Sequence, residues 1–365
     1  MAIFNISTAQ FGFAVSAYSI TAGFSGLISA FYADRFDRKT ILLFAYIGFV
    51  LGTIGCGLAT SFPLLITARI GAGFFGGIIG AQVLSILADA IPFERRAQAL
   101  SYVMLAFSAA SVAGVPCGLW LASNLGWQAP FLGIGMLGGI IACLIYHYIP
   151  SFDSHINPNS EKQNPWKVWS DIQSSPNQKK ALTLSAVLML GHFAIIPYIA
   201  PVLVGNAGFD NQKLYQIYLV GGSLTIFSAP LIGKLADKKG KLPVFTLFAA
   251  LSLIPVGLIT HIKPMPTLFI LMVAGLFFII TNGRMIPVQA MVSAVVPPDR
   301  RGGFMGINSA VQQFASGVSA NLAGWVITKN SDHTINNYPL VGYFSMAMIV
   351  CSMLLAHRLD KNSIY

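Results

Sequence analysis

Residues 30–60 read AFYADRFDRKTILLFAYIGFVLGTIGCGLAT. The opening turn is crowded with charge, at Asp34, Arg35, Asp37, Arg38 and Lys39, and residues 40–60 then contain no charged residue. At 1.5 Å per residue this apolar run is about 30 Å long as a helix, the thickness of a bilayer's hydrocarbon layer. A backbone crossing that layer has to satisfy its own hydrogen bonds, which a helix does. The rest of the chain repeats the pattern. Apolar runs cover 8–31, 40–60, 63–88, 99–123, 127–149, 181–204, 214–233, 243–261, 267–296, 304–328 and 339–357, eleven expected transmembrane helices. Composition agrees, with 55% hydrophobic and only 9% charged residues in 365, and a mean hydropathy of +0.70. Soluble domains carry about 25% charged residues, so a soluble enzyme and a disordered regulator are both excluded. The expected class is an all-α, polytopic, multi-pass membrane protein.

The formal charge of +10 has a topological origin. Numbering the loops alternately places 17 Lys and Arg on one side and three (Lys213, Lys263, Lys329) on the other, with Arg69 and Arg284 inside spans. The crowded side is expected to be cytoplasmic, which puts the C-terminus inside and the N-terminus outside. No nucleic-acid partner is needed to explain the charge. Cys56, Cys117, Cys143 and Cys351 all lie in apolar runs and are read as small packing residues. No spacing of Cys or His suggests a metal site, and no cofactor motif is present. The opening MAIFNISTAQ lacks the basic start of a cleavable signal peptide.

Two loops recur. AFYADRFDRK at 30–39 returns as GKLADKKGK at 233–241, with Asp237 in the place of Asp34. IPFERRA at 91–97 returns as VPPDRRG at 296–302. The offsets are nearly equal, so the chain reads as two homologous helical bundles, residues 1–149 with five helices and 181–365 with six. The polar stretch 150–180 joins them as a cytoplasmic linker; Trp166, Val168, Trp169 and Ile172 in it are spaced for a short interfacial helix. Paired repeats of this kind are a common architecture of secondary transporters.

These residues resemble the major facilitator superfamily, in particular its arabinose-efflux-permease-like drug and sugar antiporters. Asp34, Arg35, Arg38 and Lys39 match the family's loop motif after its second helix, although Ala30 and Asp37 replace its glycines; the second copy keeps both, as Gly233 and Gly240. Arg69 and Gly73 match the motif of the family's fourth helix. Gly114, Pro116 and Gly118 match the antiporter motif of its fifth helix loosely. GRMIPVQA and PPDRRGGFMGINSAVQQ are also similar to this branch. The family has twelve helices; the first one here matches the family's second, and IFNISTAQFGF resembles the loop that follows the family's first. Either a misplaced start omits that helix or the protein is a degenerate or genuinely eleven-helix member. The resemblance implies proton-coupled efflux of a small solute, and a latch in which Arg38 bridges Asp34 and Asp89.

Several polar residues fall inside spans. Arg69 is near enough to one end to reach the interface, or else serves as a cavity cation. Arg284 is deeper, and with Asn282 and Gln289 makes mid-span 267–296 polar, suited either to a polar or anionic solute or to an inter-helix bond. His192 is the deepest histidine, either an inter-helix donor or a proton carrier. Asn308, Gln312 and Ser316 recur every four residues and form one polar stripe. Gly73/Gly77 and Gly76/Gly80 suit close helix packing. Pro197 and Pro201 break the helix that starts near 181. Scattered His and only two Glu leave no catalytic cluster, so no enzyme is expected. The expected function is secondary active transport by a monomer in the cell inner membrane, with a small organic solute, protons and the lipid bilayer as partners. The alternative is a non-transporting, degenerate membrane protein with a scaffold role.

Overall fold

The computed structural model describes residues 4, 6–32, 36–91, 106, 110–151, 170, 172–297, 301–332 and 334–360. In chain order the helices are α1 (Thr8–Tyr32), α2 (Arg38–Gly57), α3 (Phe62–Ala90), α4 (Val115–Leu125, preceded by a π turn at Ala110–Gly114) and α5 (Ala129–Tyr148). There follow α6 (Pro176–Ile195), α7 (Ile199–Gly205), α8 (Leu214–Lys239), α9 (Lys241–Thr260), α10 (Thr267–Ala294), α11 (Arg301–Val326) and α12 (Tyr338–Asp360). A two-strand hairpin, β1 (Thr328–Lys329) and β2 (Ile335–Asn336), joins the last two helices.

The helix starts are chemically marked. Asp37 caps α2, its carboxylate accepting from the Thr40 amide at 3.0 Å and the Thr40 hydroxyl at 2.8 Å. Ser175 caps α6, and prolines at the first turns of α3, α5 and α6 occupy positions whose amides have no helical partner. Pro197 ends α6 as expected: Ile196–Tyr198 tightens to a single 3-10 turn before α7 resumes.

Among the described residues nine segments are long and apolar enough to cross a membrane, fewer than the eleven expected. Residues 99–105 and 107–109 of the expected span 99–123 lie outside the described residues. The expected span 304–328 is α11, with 26 residues long enough, but Asn308, Gln312, Gln313 and Asn321 dilute its apolarity. Trp166, Val168 and Trp169 lie outside the described residues, while Ile172 is buried in the core. The cysteines differ from expectation: Cys56 is buried, but Cys117 and Cys143 face outward.

Contacts sort the helices into two groups. α3 packs on α1 and α2, and α5 on α2 and α4; in the second group α6 packs on α11 and α12, and α10 on α8 and α9. The main apolar core lies in the second group, around Leu184, Ile195, Tyr198, Phe245, Phe277 and Tyr338. The groups meet along two seams, α1 against α11 and α4 against α8. The repeat is visible in the elements. α2 and α9 are both 20 residues long and begin 203 positions apart. α5 and α12 begin 209 apart, each with proline at its second residue. Their surroundings differ. On α12, Ser345 and Ile349 are each 1% exposed under α6, Ser345 donating to the Gly191 carbonyl at 2.6 Å. The corresponding Met136 and Ile140 of α5 are 70% and 60% exposed.

Candidate functional site

The α1–α11 seam is built for close backbone approach. A side chain at Gly12 or Gly324 would run into the Tyr198 hydroxyl and the opposite helix; at Gly23 or Gly317 it would meet Phe314 or Ile20. At the end of the seam away from the basic loops, Thr8 donates its hydroxyl to the Ile327 carbonyl. Tyr198, just past the α6 break, donates to the Ala320 carbonyl at 3.0 Å and packs edge-on against Phe11. Farther in, Asn321 donates to the Ser16 hydroxyl at 3.4 Å. On this edge the two groups are therefore tied together at that end of the seam. On the other edge, the π turn Ala110–Gly114 and α4 lie against α8. Of the motif residues on this segment Pro116 is buried, Gly114 has nothing within reach of an added side chain, and Gly118 stands near Pro130 of α5. Proline removes an amide from this ladder, consistent with a π turn beside it.

Inside the helix groups several buried polar side chains have incomplete partners. Arg284 is 1% exposed and donates Nη1 to the Ser252 hydroxyl at 2.9 Å, while its Nε is buried without a partner. His192 lies near enough for the charge of Arg284 to act on it; its Nδ1 is also buried and unpaired. Asn308 is 1% exposed with an unpaired side-chain oxygen. On the same helix Ser319 donates to the Leu190 carbonyl of α6, so the α11 stripe of Asn308, Gln312 and Ser316 runs near α6 rather than lipid.

The structure separates two residues expected to act with Arg284. Asn282 and Gln289 share one face of α10, both half-buried, and Asn282 donates back to the Phe278 carbonyl. Arg284 lies about 200° around the helix from Asn282, at 100° per residue, and is turned to α9. The expectation that all three face one solute is thereby corrected: two residues of spacing move a helical side chain to the opposite face.

Arg69 is half-buried. It donates Nε to the Ala14 carbonyl of α1 and lies 5.8 Å from the Tyr18 ring centroid, so it stitches α3 to α1 and has no need to reach an interface. Gly73 and Gly77 press against Tyr18 and Ala22 of α1, as close packing predicts, whereas Gly80 faces open space and makes no such contact. Of the expected latch, Asp34 and Arg35 lie outside the described residues. Arg38 is buried in the first turn of α2, and Asp89 lies in the last turn of α3. Asp237 is exposed near the end of α8 and makes no ion pair among the described residues.

Three residues of this interior escaped the reading of the sequence: Tyr198, Ser252 and Gln82. Gln82 is 0% exposed on α3 and donates to the Ser29 hydroxyl of α1 at 3.4 Å, its carbonyl oxygen unpaired. An amide inside an apolar run was the available signal for it; tyrosine and serine are too common in spans to stand out. The described acids, Asp37, Asp89, Asp210, Asp237, Asp332 and Asp360, lie in loops or at helix ends, so among the described residues no carboxylate faces these arginines at mid-depth. Among the described residues no cluster of His, Cys, Asp and Glu is able to hold a metal ion. The arrangement offers hydrogen-bond donors, acceptors and positive charge to a solute, and no nucleophile with a base beside it.

The profile of the Major Facilitator Superfamily matches residues 1–320. Over 98% of its length the chain is 24% identical to a curated Bacillus subtilis (strain 168) protein, the uncharacterized MFS-type transporter YbcL, covering 90% of it. It is 23% identical to YceJ, another uncharacterized MFS-type transporter of that bacterium, with 98% and 89% covered. Among solved structures, a bacterial homolog of the human lysosomal transporter Spinster, inward-facing and occupied, superposes with a TM-score of 0.71 at 16% identity, over 98% of this chain and 90% of that one. The inward-facing, unoccupied form gives 0.66 at 18% identity, over 99% and 88%. The chain belongs to the Major Facilitator Superfamily, a family of multi-pass helical transporters.

Proposed function

We propose that this member of the superfamily is a secondary active transporter of the cell inner membrane. It exports a small organic solute, a sugar, drug or metabolite, in exchange for protons, as the two helix groups rock about the α1–α11 and α4–α8 seams. The observation that carries this reading is the pairing of the glycine-lined α1–α11 seam with buried polar groups left unsatisfied in the helix group beside it. An unpaired buried donor costs about 1–3 kcal/mol. A solute or water reaching Arg284, His192 and Asn308 relieves that cost, while thin seams let packed helices slide. The resemblance to the efflux branch supports export. Arginine does not release its proton and no carboxylate lies at mid-depth among the described residues, so His192 is assigned the proton. Asp34, Arg35, Arg38, Asp89 and Asp237 are assigned to gating at the basic, cytoplasmic end.

Reconstituted chain in liposomes bearing a pH gradient tests this, with a panel of radiolabelled sugars, nucleosides and amphipathic drugs. Accumulation of one class should vanish with a protonophore and fall at least tenfold in His192→Ala, and Asp34→Asn should slow it at normal abundance. Gradient-driven transport untouched by His192→Ala overturns the proton assignment. A second reading, a protein of this fold that no longer transports, draws on the uncovered α5 face; absence of any flux across the panel would favour it.

A further inference from the structure

Two apolar grooves flank α2 on the outside of the fold. The larger, about 540 Å3, lies between α2 and α3; its α2 wall runs from Phe44 to Leu58 and its lining includes Gly48, Gly52, Gly55 and Gly71. Fourteen residues of helix make it about 21 Å long, more than one leaflet's share of a hydrocarbon layer about 30 Å thick. The smaller, about 220 Å3, lies between α2 and α5, and Tyr146 and His147 stand at its basic-loop end. Ile47 lines both grooves and forms the ridge between them. At the mouth of the smaller groove the Lys39 ammonium sits 5.5 Å from the Tyr146 ring centroid, and Lys39 forms no ion pair among the described residues. The Asp37 carboxylate at the same helix end accepts from Thr40 as a cap.

We propose that these grooves bind one diacyl phospholipid with an anionic headgroup, its tails astride Ile47 and its headgroup on Lys39 beside His147. The inference is independent of what the protein transports. Gly48, Gly52 and Gly55 let α3 pack close to α2. Gly71 and the outward-facing Leu51, Leu58 and Leu64 leave a groove beside that contact which the protein's own side chains do not fill. Such a surface gains dispersion energy only when the groove is occupied. Two hydrocarbon channels that share Ile47, with the Lys39 ammonium over Tyr146 at the end of the smaller one, match two tails on one charged head. The Thr67 hydroxyl in the larger groove is spent on the Pro63 carbonyl, so that groove offers no polar recognition. A second copy of the chain is disfavoured as occupant, since a face-to-face pairing would set two Lys39 ammonium groups against each other.

Native mass spectrometry of the delipidated full chain, offered equal amounts of dioleoyl phosphatidylglycerol and dioleoyl phosphatidylcholine, tests the site. The two lipids share tails and differ in net charge. Phosphatidylglycerol should be retained about fivefold better, the worth of one lysine at an anionic surface. Lys39→Gln should equalise the two lipids. Gly71→Leu should reduce retention of both, because a side chain there enters the groove without meeting protein; an unchanged melting temperature checks its fold. Free glycerol phosphate should not compete. Equal retention by the unmodified chain, a preference that survives Lys39→Gln, full retention by Gly71→Leu, or displacement by glycerol phosphate would each overturn the proposal.

Discussion

A guanidinium within a hydrocarbon layer depends on the few groups that can reach it, and among the described residues Arg284 donates to Ser252 alone. Removing that hydroxyl leaves the buried charge with no hydrogen bond, while replacing the arginine with an apolar chain of similar length removes the charge itself. The smaller change should therefore do more harm. Ser252→Ala is expected to cost about 1–3 kcal/mol, and Arg284→Met close to none. Melting temperatures in detergent check the order, and a reversed order would mean that Arg284 has a partner other than Ser252. Arg69 is held differently, by a carbonyl and the face of Tyr18. Lysine has neither the planar fork nor the stacking surface, so Arg69→Lys should destabilise the α1–α3 pair by about 1 kcal/mol in the same measurement.

Helix seams follow from where glycine leaves room. On α11, Gly317 and Gly324 recur at seven residues and face α1, and the Gly324 position is crowded by the Tyr198 hydroxyl and the Thr8 carbonyl. Gly324→Val overfills that contact and should cost about 1–3 kcal/mol, and it should also increase labelling of a cysteine placed at Thr8. Gly80 has nothing within reach of an added methyl group, so Gly80→Ala should be neutral or stabilise by about 0.5–1 kcal/mol through helix propensity. Two glycines in similar helices thus give opposite signs, decided by what stands opposite. α8, α9 and α10 contain Pro230, Pro255 and Pro287 in their interiors. Pro255 and Pro287 each follow a member of the Arg284–Ser252 pair by three residues, so that bond spans two helices at the turns where their ladders are interrupted.

Across the whole molecule the two helix groups are related but unequally covered. α12 is sheltered by α6, whereas the matching face of α5 carries Met136 and Ile140 outward. Local opening is easier where fewer contacts hold an element. Hydrogen exchange in detergent should therefore be faster in α5 than in α12; equal protection would mean that another partner covers α5. Orientation is likewise a property of the whole. The excess of basic residues on one side predicts that a green fluorescent reporter fused after Tyr365 fluoresces in the cytoplasm, and that an alkaline phosphatase fused there stays inactive.

The class of this protein was determined by the sequence alone, because the bilayer imposes the length and apolarity of each crossing, and 40–60 shows both without reference to any neighbour. The internal repeat was equally legible, since it is a correspondence of residues such as Asp34 with Asp237, as was the helix break at Pro197, which is local covalent chemistry. Only the tertiary structure decided which face each polar residue presents and to whom. It turned Arg284 away from Asn282 and Gln289, gave Arg69 a carbonyl and a ring, and brought Tyr198 to Ala320 across 122 positions of chain. Spacing along a sequence states where a side chain stands on its own helix. The partner that satisfies it belongs to another helix, whose rotation and depth are set by packing, and no single segment carries that information.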